Sequence, residues 1–320
     1  ARTITSPHRR TIEGIFMAEH IEGLIAAPYT PLNADGGLNL DAIGPMAELL
    51  HRSGVVGGFI CGSTGEGVSL TVEERNALTT RWTEVAPQGF KVIAHVGHTS
   101  IEACKTMARH AEAAGVDAIG AMAPYFLRPS NVEQLVGFCA EIAAVHEAPF
   151  YFYHIPVLTH VDLPVHEFLE QAQERIPNLA GIKFTHSDLM DLGLCLALDG
   201  GKFDIIYGSD ETLLAGLALG CKGAVGSSYN FAAPLYNQLI KAFNAGDLDE
   251  ARALQQKSRK LIQFVAGVTG SYHTVGKAIM GMLGVPSGPM RPPLPTLLPE
   301  QEPVIREGLE ALGFFDYCCK

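Results

Sequence analysis

Long apolar runs are missing from the 320 residues: nowhere do roughly 18 consecutive apolar residues occur, so no membrane-spanning helix is expected. Basic clusters are equally scarce. The 23 Lys and Arg are scattered among 34 Asp and Glu, for a net charge of -11. Nucleic-acid binding needs a concentrated basic face, and neither nucleic acid nor membrane is expected as a partner. The seven cysteines (61, 104, 139, 195, 221, 318 and 319) are odd in number and contain no C-x-x-C pair. Five fall within apolar helix or strand patterns, which fits reduced, core-packed thiols in a cytoplasmic protein and not a disulfide framework. The N-terminal stretch lacks the apolar centre of a secretory signal. Residues 1–21 read as a loose arm with a solvated Arg9–Arg10 pair. The turn "GSTGEG", 62–67, has neither the G-K-[ST] ending of a phosphate loop nor G-x-G-x-x-G spacing, so no nucleotide cofactor is expected.

What is present is a core. Hydrophobic residues make up 47% of the chain and charged ones 18%, enough for one or two globular domains. Eight short apolar runs start at Gly23, Gly58, Lys91, Ala118, Pro149, Leu179, Phe203 and Gly223. Amphipathic stretches separate them, with capping-box patterns at Thr71/Glu74, Thr99/Glu102 and Ser130/Glu133 and stop glycines at 54, 115 and 220. Mostly apolar strands alternating with helices imply a parallel sheet covered by helices. Eight units match a closed (β/α)8 TIM barrel over 22–246. Further helical patterns interrupted by the Pro-rich "VPSGPMRPPLP" imply a C-terminal helical extension over 247–316, and 317–320 read as a tail.

In such a barrel, chemistry sits at the carboxyl ends of the strands. The polar residues there are Ser63, Thr64 and Glu66 after the second strand, Tyr153 and His154 ending the fifth, and Lys183 and Thr185 ending the sixth. Asp210 and Glu211 follow the seventh, and Ser227 and Ser228 the eighth. Strand alternation puts Leu179, Gly181, Lys183 and Thr185 on the inner face and Ala180, Ile182 and Phe184 against a helix. Tyr151 and Tyr153 likewise share a face. A desolvated lysine is in part a neutral amine, able to attack a ketone and form an iminium that acts as an electron sink. Tyr153 is the candidate for moving protons. The "GSTGE" turn offers amides and hydroxyls for a carboxylate. Each has a plainer reading: Lys183 as an ion-pair partner or phosphate ligand, Tyr153 as a core tyrosine, Asp210 and Glu211 as acids favouring the next helix's positive end. A metal held by His95 and His98, with Glu66 or His154, would polarise the same ketone. Their spacing at a strand end is poor for one site and no third ligand is evident, so no metal is expected.

Five motifs in order, "GSTGE", "YHIP", "GIKFT", "YGSDE" and "GSSYN", each at its expected strand, resemble the dihydrodipicolinate synthase superfamily of class I, pyruvate-dependent aldolases. Within it they are most similar to the branch that acts on sialic acid. The likeness runs from about Gly23 to Phe314 and includes "APYFLRP" and "GPMRPPLP". It implies reversible cleavage of N-acetylneuraminate to N-acetylmannosamine and pyruvate. Lys183 would be the Schiff-base lysine and Tyr153 the proton relay, with no cofactor beyond the covalent lysine. Ser63 and Thr64 would hold the carboxylate, Thr64 also lying next to Tyr153. Thr185, Gly208, Asp210, Glu211 and Ser227 would contact the sugar's hydroxyl-bearing chain. The lysine-biosynthesis members typically carry an Arg shortly after the fifth-strand motif and an acid after the lysine. Val157, Leu158, Thr159 and Phe184 stand there instead. The resemblance further implies a homotetramer, with Tyr125 the candidate to enter a neighbour's site. Aldolases of other 2-keto-3-deoxy sugar acids, and a catalytically silent keto-acid-binding barrel, are the alternatives.

Overall fold

The eight apolar runs form eight strands: β1 (Gly23–Ala26), β2 (Val55–Ile60), β3 (Lys91–His95), β4 (Ala118–Met122), β5 (Phe150–His154), β6 (Leu179–Phe184), β7 (Asp204–Tyr207) and β8 (Gly223–Gly226). All pair in parallel, and β8 pairs with β1 to close the barrel. The computed structural model describes residues 10–12, 15–17 and 19–320. Arg9, and with it the expected solvated Arg9–Arg10 pair, lies outside the described residues.

Helices α1 (Ile43–Arg52), α2 (Val72–Val85), α3 (Ile101–Ala114), α4 (Val132–Ala143), α5 (Val165–Ala172), α6 (Leu189–Ala197), α7 (Leu213–Leu219) and α8 (Tyr229–Asn244) alternate with the strands. The Thr71/Glu74 capping box forms as expected. The other two shift by one residue. Ser100 caps α3 by accepting from the Ala103 amide, and Asn131 caps α4 by accepting from Gln134. In both places adjacent residues are competent caps, and local pattern does not choose between neighbouring registers.

Strand alternation divides the core. Leu24, Val92, Ile119, Ile182 and Phe184 pack outward among the helices, while Ile25, Phe59, Ile93, Tyr151 and Tyr153 fill the barrel. One expectation fails at the start of β6: Leu179 packs outward and Ala180 inward. Phe150 pairs with Leu179 but Tyr151 with Gly181, so one extra residue reverses the phase before Lys183. The barrel floor is sealed by buried Asp204, which accepts from the Tyr151 hydroxyl at 2.8 Å and the Ile21 amide at 3.0 Å. Ile21, expected to end a loose arm, is therefore part of the barrel. Ahead of it, Arg10–Ile12 and Ile15–Met17 pair as two short antiparallel strands.

The extension comprises α9 (Leu248–Thr269), α10 (Tyr272–Met282) and α11 (Gln301–Ala311), with α9 packed on α8, α10 and α11. The expected tail at 317–320 is largely packed. Tyr317, Cys318 and Cys319 are buried, and the Cys319 amide donates to the Phe231 carbonyl at 2.9 Å. Lys257 of α9 lies over the Tyr317 ring and Cys319 meets Phe231 of α8, contacts that local composition does not reveal.

Candidate active site

The inner face of β6 delivers Lys183 to the barrel mouth. Its side chain is 4% exposed, and Nζ lies 3.9 Å from the Phe59 ring centre and 4.0 Å from that of Tyr153. Among the described residues it makes no ion pair. Burial brings its pKa down to about 7, opposed by the charge of Asp210. A lysine kept for an ion pair would have a carboxylate against it. This one has two aromatic faces, which exclude water, and that desolvation favours the neutral amine.

Tyr153 projects from β5 beside it. Its hydroxyl is 3.3 Å from Ser63 Oγ, and burial pushes its pKa up to about 12 against the pull of hydrogen bonds from Ser63 and Thr185. The expected Thr64–Tyr153 contact is not what forms. Ser63 meets Tyr153, and Thr64 Oγ1 pairs with Ser227 Oγ at 2.6 Å, joining the turns after β2 and β8. Thr185, on the inner face beyond Lys183, is half-buried. It runs so close under Gly208 that a Cβ there would stand 2.0 Å from Thr185 Oγ1, so only glycine fits.

Asp210 and Glu211 part company. Asp210 is buried, its Oδ2 accepting from the Ser228 amide at 2.7 Å and the Ser228 hydroxyl at 2.5 Å. Burial raises its pKa to about 6, opposed by those two bonds. A Cβ at Gly226 would fall 2.0 Å from its Oδ1. Glu211 is exposed, and its backbone carbonyl accepts from Arg259. Tyr125 packs against its own barrel's interior cluster, whereas Phe126 beside it is 81% exposed.

His95 and His98 do not converge. His95 is buried with Nδ1 3.1 Å from the Cys61 carbonyl, while His98 Nδ1 accepts from the Ser100 amide at 2.9 Å. His95 instead lines the pocket wall, its ring 5.8 Å from that of Tyr153. It and Phe59 join the site although motif reading assigned neither. Inward alternation along β2 and β3 was the available signal.

A further set of residues holds the "GSTGE" turn from outside. Glu66, in the left-handed region at φ 55°, places Oε1 2.6 Å from Lys277 Nζ of α10, and both side chains are only 2% exposed. The Arg291 amide donates to Glu66 Oε2 at 2.8 Å, and Lys277 also donates to the Pro289 carbonyl. The Arg291 guanidinium grips Glu74 in a two-pronged pair. The extension thus braces the turn that bears Ser63 and Thr64. Lys277→Met strands a buried carboxylate and is expected to cost about 3–5 kcal/mol in denaturant unfolding. The double variant Glu66→Gln/Lys277→Met should recover most of that. Equal losses in the single and double variants would show the pair to be unimportant.

The family model described as the dihydrodipicolinate synthetase family matches residues 20–312. Among curated proteins, the chain is 39% identical over 282 residues to N-acetylneuraminate lyase of Xenopus tropicalis, covering 87% of this chain and 92% of that protein. Among solved structures, Proteus mirabilis N-acetylneuraminate lyase superposes with a TM-score of 0.89 at 38% identity, covering 92% of this chain and 100% of the other. The native structure of the lyase (sialic acid aldolase) from Aliivibrio salmonicida also gives 0.89, at 39% identity over 92% of this chain and 98% of its own.

Proposed function

The chain belongs to the dihydrodipicolinate synthetase family, and from that premise we propose that it is a Schiff-base aldolase cleaving N-acetylneuraminate reversibly to N-acetylmannosamine and pyruvate. The observation that carries this reading is the buried, unpaired Lys183 amine set against Tyr153. Lys183 attacks C2 of the open-chain sugar acid, and loss of water leaves an iminium. Tyr153 relays the C4 hydroxyl proton as the C3–C4 bond breaks, its own phenol proton passing to the substrate carboxylate held beside Ser63, and the electron pair of that bond passes into the iminium as an enamine. Protonation at C3 and hydrolysis then release pyruvate and regenerate the amine. The iminium itself is the electron sink, so the chemistry calls for no separate cofactor or metal.

Ser63 and Thr64 hold the carboxylate, in a turn whose hydroxyls face Tyr153 and Ser227. Thr185, Gly208, Glu211 and Ser227 receive the polyhydroxy chain. Asp210, with Oδ2 committed to Ser228, acts there through its remaining oxygen and by its charge on Lys183. The enzyme works as a homotetramer. The apolar Phe126 and Leu127 on the loop after β4 and Val157 in the one-turn helix after β5, all exposed, support such an assembly. It works in the cytoplasm, a compartment suited to seven free, buried cysteines. Among the described residues no helix is long and apolar enough to cross a membrane.

Pyruvate release from N-acetylneuraminate, compared with other 2-keto-3-deoxy sugar acids, tests the substrate. The highest kcat/KM is expected for N-acetylneuraminate, and a clear preference for another acid would replace it. The pH dependence tests the amine. A lysine attacks when neutral, that is, above its pKa. The rate of adduct formation should therefore rise with pH through a midpoint of about 7 and level off above it, well below the ~10.4 of an exposed lysine. Asp210→Asn removes the charge that favours the ammonium form, so the midpoint should move lower. A rate still climbing above about pH 9 would mean that burial does not set this pKa.

A further inference from the structure

Outside the pocket, His154, Asp162 and His186 each place one ligand atom within 4.8 Å of the others'. They come from the end of β5, the stretch after the one-turn helix Pro156–Thr159, and the loop after β6. Alternation that turns Tyr153 into the barrel turns His154 out of it, so the strand wall separates this cluster from the Lys183 amine.

His154 is the informative member. It is 2% exposed. Its neighbours are the rings of Phe152, Phe184 and His186, with centres 6.1, 5.5 and 5.3 Å away. Facing it, His186 Nε2 is 3.6 Å from Asp162 Oδ1, and the Asp162 side chain is 73% exposed and free to swing inward. The nearby acids are committed elsewhere. Asp191 accepts from the Val165 amide and pairs with His166 Nδ1 at 2.6 Å, and Asp188 caps α6. They supply a negative field without competing as ligands.

We propose that His154, Asp162 and His186 form a binding site for a divalent first-row transition metal, Zn2+ foremost, with water completing the coordination. Two imidazoles and one carboxylate suit such an ion, whereas Mg2+ and Ca2+ call for all-oxygen sets. The site ties together the ends of β5 and β6. His154 follows Tyr153 directly, and His186 follows Thr185. It stands independently of the aldolase reading.

The test is calorimetric titration of the chelator-stripped full chain with ZnCl2, with Co2+ absorption as the coordination probe. One equivalent of Zn2+ is expected to bind. Loss of a single outer-shell partner already weakens a metal site by roughly 10–100-fold, so losing a direct ligand should cost more than about 100-fold. His186→Ala and Asp162→Asn, at partly exposed positions, should each show that loss with unchanged circular dichroism, and His154→Asn provides a third variant. Absence of stoichiometric binding would overturn the proposal and leave a plain Asp162–His186 ion pair. Binding that survives His186→Ala and Asp162→Asn, or a thiolate-to-cobalt band, would also overturn it by pointing to other ligands.

Discussion

Treatment with pyruvate and borohydride should leave a covalent adduct on Lys183, gaining the mass of pyruvate minus water plus two hydrogens. The amine is neutral in good part near pH 7 because burial, with no carboxylate against it, removes the stabilisation of its ammonium form. Lys183→Ala should abolish the adduct and lower turnover by at least about 10⁴-fold, or some 5 kcal/mol of transition-state stabilisation. Lys183→Met separates chemistry from packing. It keeps the volume and removes the cost of desolvating an amine, so its melting temperature should equal or exceed that of the parent while turnover is lost. An adduct on a different lysine, or turnover in either variant, would end the Schiff-base assignment for Lys183.

Tyr153→Phe is the second large effect. The ring that covers Lys183 is retained, and only the hydroxyl facing Ser63 is removed. Pyruvate should still be trapped on Lys183. Cleavage of the sugar acid, which needs a proton taken from the C4 hydroxyl, should slow by about 10²–10⁴ in kcat. KM should change less, since the turn bearing Ser63 and Thr64 stays in place and loses only the contact of Ser63 with the phenol. A Tyr153→Phe protein of normal kcat would take the tyrosine out of the proton path. Ser63→Ala is the natural companion, because Ser63, not Thr64, reaches the phenol.

The difference between Ser63 and Thr64 marks where local reading stops. Both lie in one turn, both carry a hydroxyl, and nothing in "GSTGE" says which will face strand β5. Likewise Glu66 meets the Arg291 amide 225 residues away, a pairing that no periodicity encodes. The tail residues Tyr317 and Cys319 read as loose because their partners, Lys257 on α9 and Phe231 on α8, lie far away along the chain.

By contrast, the order of strands and helices, the closed barrel and the inward aim of Lys183 and Tyr153 follow from the sequence by itself. These rest on periods of two and 3.6 residues, which are set by the backbone and hold over a few neighbours. Tertiary structure alone decided which hydroxyl touches Tyr153, that Asp210 is clamped by Ser228, that the extension braces the turn bearing Ser63 and Thr64, and that His154 meets Asp162 and His186. Those contacts join loops from different strands. Their geometry is fixed only when the barrel closes and each loop is held by its neighbours.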